Sequence, residues 1–518
     1  MIVSTQFTTG SKKIFCYETE INYDNVIDVV KRALITHNAN VVEIDWLFQL
    51  YRGYDGSIDS RTRSGVNTDI NSKAFVSYYS LIADYTANLF MQNQIIFVNV
   101  DGEEEVSEYL MEYNKIHRGN NKYARDKKAA LHAAICGVGY RFVELNNGRE
   151  IIKDSVLSPQ SVMVLYGDDT DDVEVAKVYI TQVIDEESLL IPDIAGQRAN
   201  SMISTKNHYT VYADGLIYDF EDGSDDVYVS ESLHQGCPII EYKMNPFYIG
   251  SFERVTSLIN LLSVLRSDGV NGVIQSMAGI IFGKNIGLAT PNADDTEEEI
   301  EEKAQINAEL ARQMKDYRQL FVNSSSKDSP ASIEYIATEM YNADIEVLYQ
   351  GIINDIVTIS RIPNSTVNLG GSGNSGAADT ASGVKQALEN AKNAEPFWFE
   401  SAREQLRLEL EILHYQGLLK DLHSSDIELA MQRTISIDPI VATQAFTSLL
   451  QSGVKISDAA DYVGITADPV AFEKRTLDNI RENEERKLEY ARREKEINSE
   501  TSQEINEDNG SVGSSEDS

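Results

Sequence analysis

The sequence predicts an α+β protein in which helix outweighs strand. Long stretches place apolar residues three and four apart, shorter β-branched and aromatic runs gather between residues 138 and 220, and the two kinds do not alternate as a parallel βαβ sheet requires. With 518 residues, 42 % of them apolar, the chain can bury a large core. Its length alone suggests about three to four domains.

Residues 22–52 carry Val26, Val29, Val30, Ala33 and Leu34 at helical spacing and end at Arg52-Gly53, so they predict a helix. A second helix is predicted from Ala74 to Met91, and Gln94 to Val100 reads as a strand. Residues 122–136 predict a helix stopped by Gly137. Gly139 to Leu145 and Glu150 to Val156 read as strands paired across Asn146-Asn147-Gly148. Val162 to Tyr166, Val175 to Ile184, His208 to Tyr212 and Gly215 to Phe220 extend a mostly antiparallel region.

Beyond Pro238 the pattern changes. Residues 251–282 predict one continuous helix, about 48 Å long at 1.5 Å per residue. Asn260, Arg266, Asp268, Asn271 and Gln275 interrupt it too often for lipid. An acidic helix from Thr296 to Tyr317 and two strand-like runs, Gln319 to Asn323 and Ala331 to Ala337, separate it from a second long helix at 339–360, ended by Pro363. Residues 364–380 are rich in Gly, Ser and Asn and read as a mobile loop. A helix over 381–419 contains Pro396, where a kink is expected. Residues 426–497 read as wholly helical, and 498–518, with acids and no Lys or Arg, as a disordered tail.

Charge bounds the partners. Lys and Arg total 45 against 82 Asp and Glu, a formal net charge of −37. Gripping nucleic acid normally requires the reverse balance, so tight DNA binding is not expected, although an acidic wall suits DNA that slides past. Cys16, Cys136 and Cys237 lie too far apart for a C-x-x-C pair and read as ordinary thiols. The first ten residues lack the pattern of a signal peptide, and no apolar run is long enough to span a membrane.

Motifs of chemistry are weak. Gly371, Gly373 and Gly376 satisfy G-x-G-x-x-G, but the preceding segment is helical and contains a proline, so no dinucleotide cofactor is expected. No P-loop occurs. The histidines show no metal spacing and read as structural. Acid clusters at Asp168 to Glu174, Asp219 to Asp226 and Asp294 to Glu302 read as solvated faces; the alternative is a metal-dependent nuclease holding Mg²⁺ on converging carboxylates. Arg118, Lys122, Arg125, Lys127 and Lys128 form the one local basic patch, more suited to a protein contact than to DNA.

Several segments carry a resemblance. Residues 236–273 (GCPIIEYKMNPFYIGSFERVTSLINLLSVLRSDGVNGV) and 339–388, with weaker likenesses at 50–53, at 135–140 (ICGVGY) and at 453–469, resemble the portal proteins of long-tailed double-stranded DNA bacteriophages. The resemblance implies an elongated portal architecture. Residues 1–250 would form an N-terminal extension and α/β wing, 251–282 the first stem helix, 283–338 the clip and 339–360 the second stem helix. Residues 361–380 would be the tunnel loop, 381–420 the kinked wing helix, 421–497 a helical crown and 498–518 the acidic tail. It implies a homododecameric ring without enzymatic activity or cofactor, set at one capsid vertex of the virion after assembly in the host cytoplasm. The genome would be packaged and ejected through the ring.

The implied partners are the terminase large subunit, a connector or adaptor protein, the major capsid and scaffolding proteins, and double-stranded DNA passing without tight binding, with no membrane. In the loop, Asn364, Ser365, Thr366, Asn368, Gly370, Gly371, Ser372, Gly373, Asn374 and Ser375 would face the DNA. In the clip, Asp294, Asp295, Glu297, Glu298 and Glu301 would meet the motor or connector. Another structural ring of the virion is the remaining alternative.

Overall fold

The computed structural model describes residues 2–3, 12–16, 18, 20–62, 70–99, 104–145, 152–167, 173–184, 205–232, 237–277, 280–284, 291, 294–317, 319–322, 332–336, 342–363, 377–431, 439–463, 466 and 469–510. In chain order these form β1 (Ile2–Val3), β2 (Ile14–Cys16), α1 (Val26–Tyr51), α2 (Gly56–Asp59), α3 (Tyr78–Phe90), β3 (Ile95–Asn99), α4 (Glu104–Gly119), α5 (Lys122–Cys136), β4 (Val138–Leu145) and β5 (Ile152–Leu157). Then follow β6 (Val162–Tyr166), β7 (Glu174–Ile184), β8 (Thr205–Ala213), β9 (Leu216–Glu221), β10 (Tyr228–Glu231), β11 (Ile239–Lys243), α6 (Thr256–Met277) and β12 (Ile280–Lys284). The remainder are α7 (Glu297–Tyr317), β13 (Gln319–Val322), β14 (Ser332–Ile336), α8 (Asn342–Ser360), α9 (Ala377–Tyr415), β15 (Ile427–Met431), α10 (Pro439–Gln451), α11 (Ile456–Val463) and α12 (Pro469–Gly510). About 58 % of the described residues are helical, so the α+β class with helix dominant holds.

Two compact units are present. The first comprises residues 1–90 and 124–412. Its seven-stranded sheet runs β1-β2-β6-β7-β8-β9-β10, antiparallel except where β2 meets β6. Val26, Val29, Val30 and Ala33 of α1 bury against Met163, Leu165, Val178 and Val211 of that sheet, which is why the helical period of α1 and the alternation of the strands both read clearly. A second sheet runs β11-β4-β5, and a third β13-β12-β14.

Buried polar contacts tie these layers. Arg141 of β4, fully buried, pairs with Asp154 of β5 and Asp126 of α5. Glu241 of β11 accepts hydrogen bonds from Tyr140 (3.0 Å), Tyr248 (2.7 Å) and Tyr166, and burial raises its carboxyl above the usual range. Lys177 of β7 donates to the Ile239 carbonyl (2.8 Å) and to Glu404 of α9 (3.0 Å).

The second unit comprises residues 91–123 and 413–518. Here β3 pairs antiparallel with β15, Phe97 packs on Tyr113 and His117 of α4, and α10, α11 and α12 pack in succession.

The structure corrects three boundaries. The helix expected over 251–282 ends at Met277, and Ile280–Lys284 is a strand, because Ile281 and Phe282 find ladder partners on both sides, β13 parallel and β14 antiparallel. Residues 426–497 are not wholly helical, since Ile427–Met431 pairs with β3. The tail from Asn498 is not disordered throughout: α12 extends to Gly510, and Glu500, Gln503, Glu504 and Glu507 in that stretch favour helix. Only part of the basic patch shares a face, as the helical period implies: Lys122 is buried while Arg118 and Lys128 are exposed. The paired strands of 138–157 stand as expected, although the Asn146-Asn147-Gly148 turn lies outside the described residues.

Candidate functional site

Two of the segments that carry the sequence likeness, 135–140 and 236–273, meet at the entry to α6. Helix α5 ends at Gly137, whose φ is +89°, a conformation in which a side chain is strained. A Cβ there would stand 2.0 Å from the Tyr248 carbonyl oxygen, and one on Gly250 would stand 2.2 Å from that of Ile135. The ICGVGY and FYIGS segments therefore cross backbone against backbone. Ser251 fastens the crossing through its amide (2.7 Å) and hydroxyl (2.8 Å) to the Ala134 carbonyl. Lys12, its side chain 6 % exposed, caps it from above by donating to the carbonyls of Cys136 (2.9 Å) and Tyr248 (3.1 Å) and to Glu253 Oε1 (2.7 Å). Burial pushes the Cys136 thiol up to about 11, although the Lys12 ammonium opposes it, so this cysteine stays a neutral packing group.

Helix α6 leaves this joint with a buried polar seam beside its buried Ile259 and Leu262. Ser263, Ser267 and Asn271, four residues apart, are buried. They accept hydrogen bonds from the backbone amides of Val76 (3.1 Å), Ala74 (2.9 Å) and Ser72 (2.7 Å), so an extended segment lies along the helix as a strand would lie along a sheet edge. Asp268 takes both arms of Arg61 (2.8 and 2.9 Å), and Asn260 donates to Ser57 (2.9 Å). Sequence reasoning counted Asn260, Asp268 and Asn271 only as interruptions and gave Ser263 and Ser267 no structural role; the i, i+4, i+8 spacing of Ser263, Ser267 and Asn271 was the available signal of a polar seam.

Apolar residues of α6 also reach the surface. Leu261, Val270, Val273 and Ile274 are 45, 39, 44 and 42 % exposed. Helix α8 packs beside α6, burying Ile352, Ile353 and Ile356, while Val347 and Leu348 remain 73 and 53 % exposed.

Between the two helices stands the small module of β12, α7, β13 and β14. Asp294, Glu297, Glu298 and Glu301 are exposed and Asp295 pairs with Lys303. Part of the acid run serves α7 itself: Glu299 accepts from the Thr296 amide (2.9 Å) and hydroxyl (3.0 Å), which close the first turn and hold its carboxyl below the usual range. Acids in a first turn also face the positive end of the helix dipole.

Of the remaining sequence candidates, Asn364, Ser365, Thr366, Asn368, Gly370, Gly371, Ser372, Gly373, Asn374 and Ser375 lie outside the described residues, as does Gly376. Pro396 lies within α9, which continues past it; the proline ring leaves the carbonyl four residues back without its helical donor. The acids from Asp168 to Asp172 are likewise outside the described residues. In the second cluster Asp219 holds Thr210 (2.7 Å) and His208 (3.2 Å), while Glu221, Asp222, Asp225 and Asp226 are exposed. Among the described residues no group of three or more His, Cys, Asp or Glu is placed to hold a metal ion, and no helix is long and apolar enough to cross a membrane.

Comparison with known proteins places the chain. No curated protein matches the sequence. Among solved structures, a chain of one titled "Neck of empty GTA particle computed with C6 symmetry" is similar at 11 % identity and a TM-score of 0.38, over 75 % of this chain and 90 % of that one, a likeness too slight to carry an argument about geometry. The family described as "Phage portal protein, SPP1 Gp6-like" matches residues 33–454, a span that contains the glycine crossing, both long helices and the module between them. The chain therefore belongs to the SPP1 Gp6-like family of phage portal proteins.

Proposed function

We propose that the chain assembles as a ring, twelve copies in number, at one vertex of the capsid, and that DNA is packaged and ejected through its centre without catalysis by this protein. Family membership over residues 33–454 is the observation that carries this reading. In it, the region up to residue 250 is the wing, α6 and α8 are the stem helices, and the module between them is the clip. The loop at 361–380 reaches toward the DNA, α9 bends at Pro396, and residues beyond 421 build the crown. The clip, with Asp294, Asp295, Glu297, Glu298 and Glu301, would dock the terminase large subunit and then the connector, and capsid and scaffolding proteins would meet the outside.

The exposed apolar side chains of α6 and α8, Val273 and Val347 among them, support assembly, since a neighbouring copy would cover them in a head-to-tail contact that closes on itself. The net charge of −37 supports a wall that does not adhere to DNA. Electron microscopy and native mass spectrometry of the purified 57.8 kDa chain test the proposal. Rings with a central hole are expected, and a monomer at every concentration would end it. The nuclease reading predicts cleavage of duplex DNA with Mg²⁺ or Mn²⁺, whereas the portal leaves it intact.

A further inference from the structure

Strand β10 closes the seven-stranded sheet: it pairs antiparallel with β9, and among the described residues no strand lies on its other side. An edge strand offers outward backbone donors and acceptors to any extended chain that arrives. Tyr228 and Val229, neighbours on opposite faces of the strand, are 71 and 39 % exposed, so the edge also presents apolar surface. Its surroundings are of one sign. From Asn207 to Tyr242 the chain has eight Asp and Glu and no Lys or Arg, and Glu221, Asp222, Asp225, Asp226 and Glu231, all on or beside β9 and β10, are exposed.

These acids do not make the edge inert; they make it selective. A second copy offering its own β10 would bring like charges face to face, which disfavours self-pairing. An incoming strand rich in Lys and Arg meets the opposite situation, with its backbone satisfied by β10 and its cations by the flanking carboxylates. We propose that β10 is a docking edge for a basic, extended segment of another protein, which it accepts as an eighth strand. The proposal concerns the sheet alone and stands whether or not the chain forms a ring.

The test uses the full-length protein and a fluorescent peptide of alternating lysine and valine. An N-methylated counterpart keeps the charge but loses the backbone donors, and a glutamate counterpart reverses the charge. Fluorescence anisotropy at low and moderate salt reads affinity, and hydrogen exchange reads the location. The basic peptide is expected to bind with salt-dependent affinity and to slow exchange at residues 228–231. N-methylation, and separately the pair Asp225→Asn and Asp226→Asn, are each expected to weaken binding by about tenfold. Three results would overturn the idea: no binding at low salt, equal binding of the methylated peptide, which signals mere adhesion, or unchanged exchange at 228–231. The methylated peptide probes the unmodified protein, so its outcome does not depend on whether a variant folds.

Discussion

The glycine crossing at the root of α6 offers the sharpest test of the physical account, through Gly137→Ala. Two costs add. The residue sits at φ +89°, where an L side chain is strained by about 1–2 kcal/mol. The new methyl would also lie 2.0 Å from the Tyr248 oxygen and 2.1 Å from its carbonyl carbon, both backbone atoms. Contact at ordinary separation requires the 248–251 loop to retreat by roughly 1.5 Å. That retreat lengthens the Lys12 bond to Tyr248 (3.1 Å) and both Ser251 bonds to Ala134 (2.7 and 2.8 Å) beyond usefulness. At about 1 kcal/mol for each neutral bond and about 2 for the charged one, the sum with strain approaches about 5 kcal/mol, comparable with the stability of a whole domain. Gly215→Ala is the internal control: its φ is +76° but nothing lies within 4 Å of the added atom, so it bears strain alone. Urea unfolding followed by circular dichroism compares the two. If the two variants unfold within about 1 kcal/mol of each other, the crossing is not the constraint claimed for it.

Three further outcomes are expected. Val273→Asp, on α6 where Val273 is 44 % exposed, should change the unfolding free energy of the isolated chain by less than about 0.5 kcal/mol yet reduce ring formation in sedimentation velocity; a variant that assembles normally would remove Val273 from the interface. Burial, reinforced by Lys128, lowers His132 to about 4 from an ordinary value near 6.5, so the unfolded chain takes up this proton first as pH falls. The contribution is therefore complete above pH 6.5 and eroded by roughly 3 kcal/mol as pH falls to 4, and urea titrations should show a pH slope that His132→Gln flattens. In the buried Arg141 network, Arg141→Met strands two carboxylates whereas Asp154→Asn leaves Arg141 paired with Asp126, so the first should be the more damaging in thermal denaturation, with a loss of about 3–5 kcal/mol.

What the sequence could tell depended on how far away the deciding partner lay. Helices α1, α5 and α8 announce themselves because each buries one face at a fixed period and ends at a Gly or before a Pro. Strands β6 to β9 do so because sequential neighbours pair. The errors fall where a distant segment decides. The run Ile280-Ile281-Phe282 continues an apolar helix pattern, and only β13 and β14, tens of residues later, make it a strand. The pairing of Ile427–Met431 with β3 joins residues more than three hundred positions apart, beyond any local pattern. Of the site, Gly137 was legible as a helix stop, but its closeness to Tyr248 was not.

The polar seam of α6 bears on how that helix is held. A helix at the surface of a protein commonly turns its apolar residues inward and its serines and asparagines to water. Here Ile259 and Leu262 are buried, but so are Ser263, Ser267 and Asn271, hydrogen-bonded to the 72–76 backbone. The buried seam satisfies its polar groups, so it costs little and positions the helix by direction-dependent bonds that apolar packing lacks. Val270 and Val273, beside Tyr349 of α8, and Leu261, on another side of the helix, stay partly exposed and have no such compensation in a single chain. Under the ring proposed above, a neighbouring copy in a head-to-tail contact would cover them.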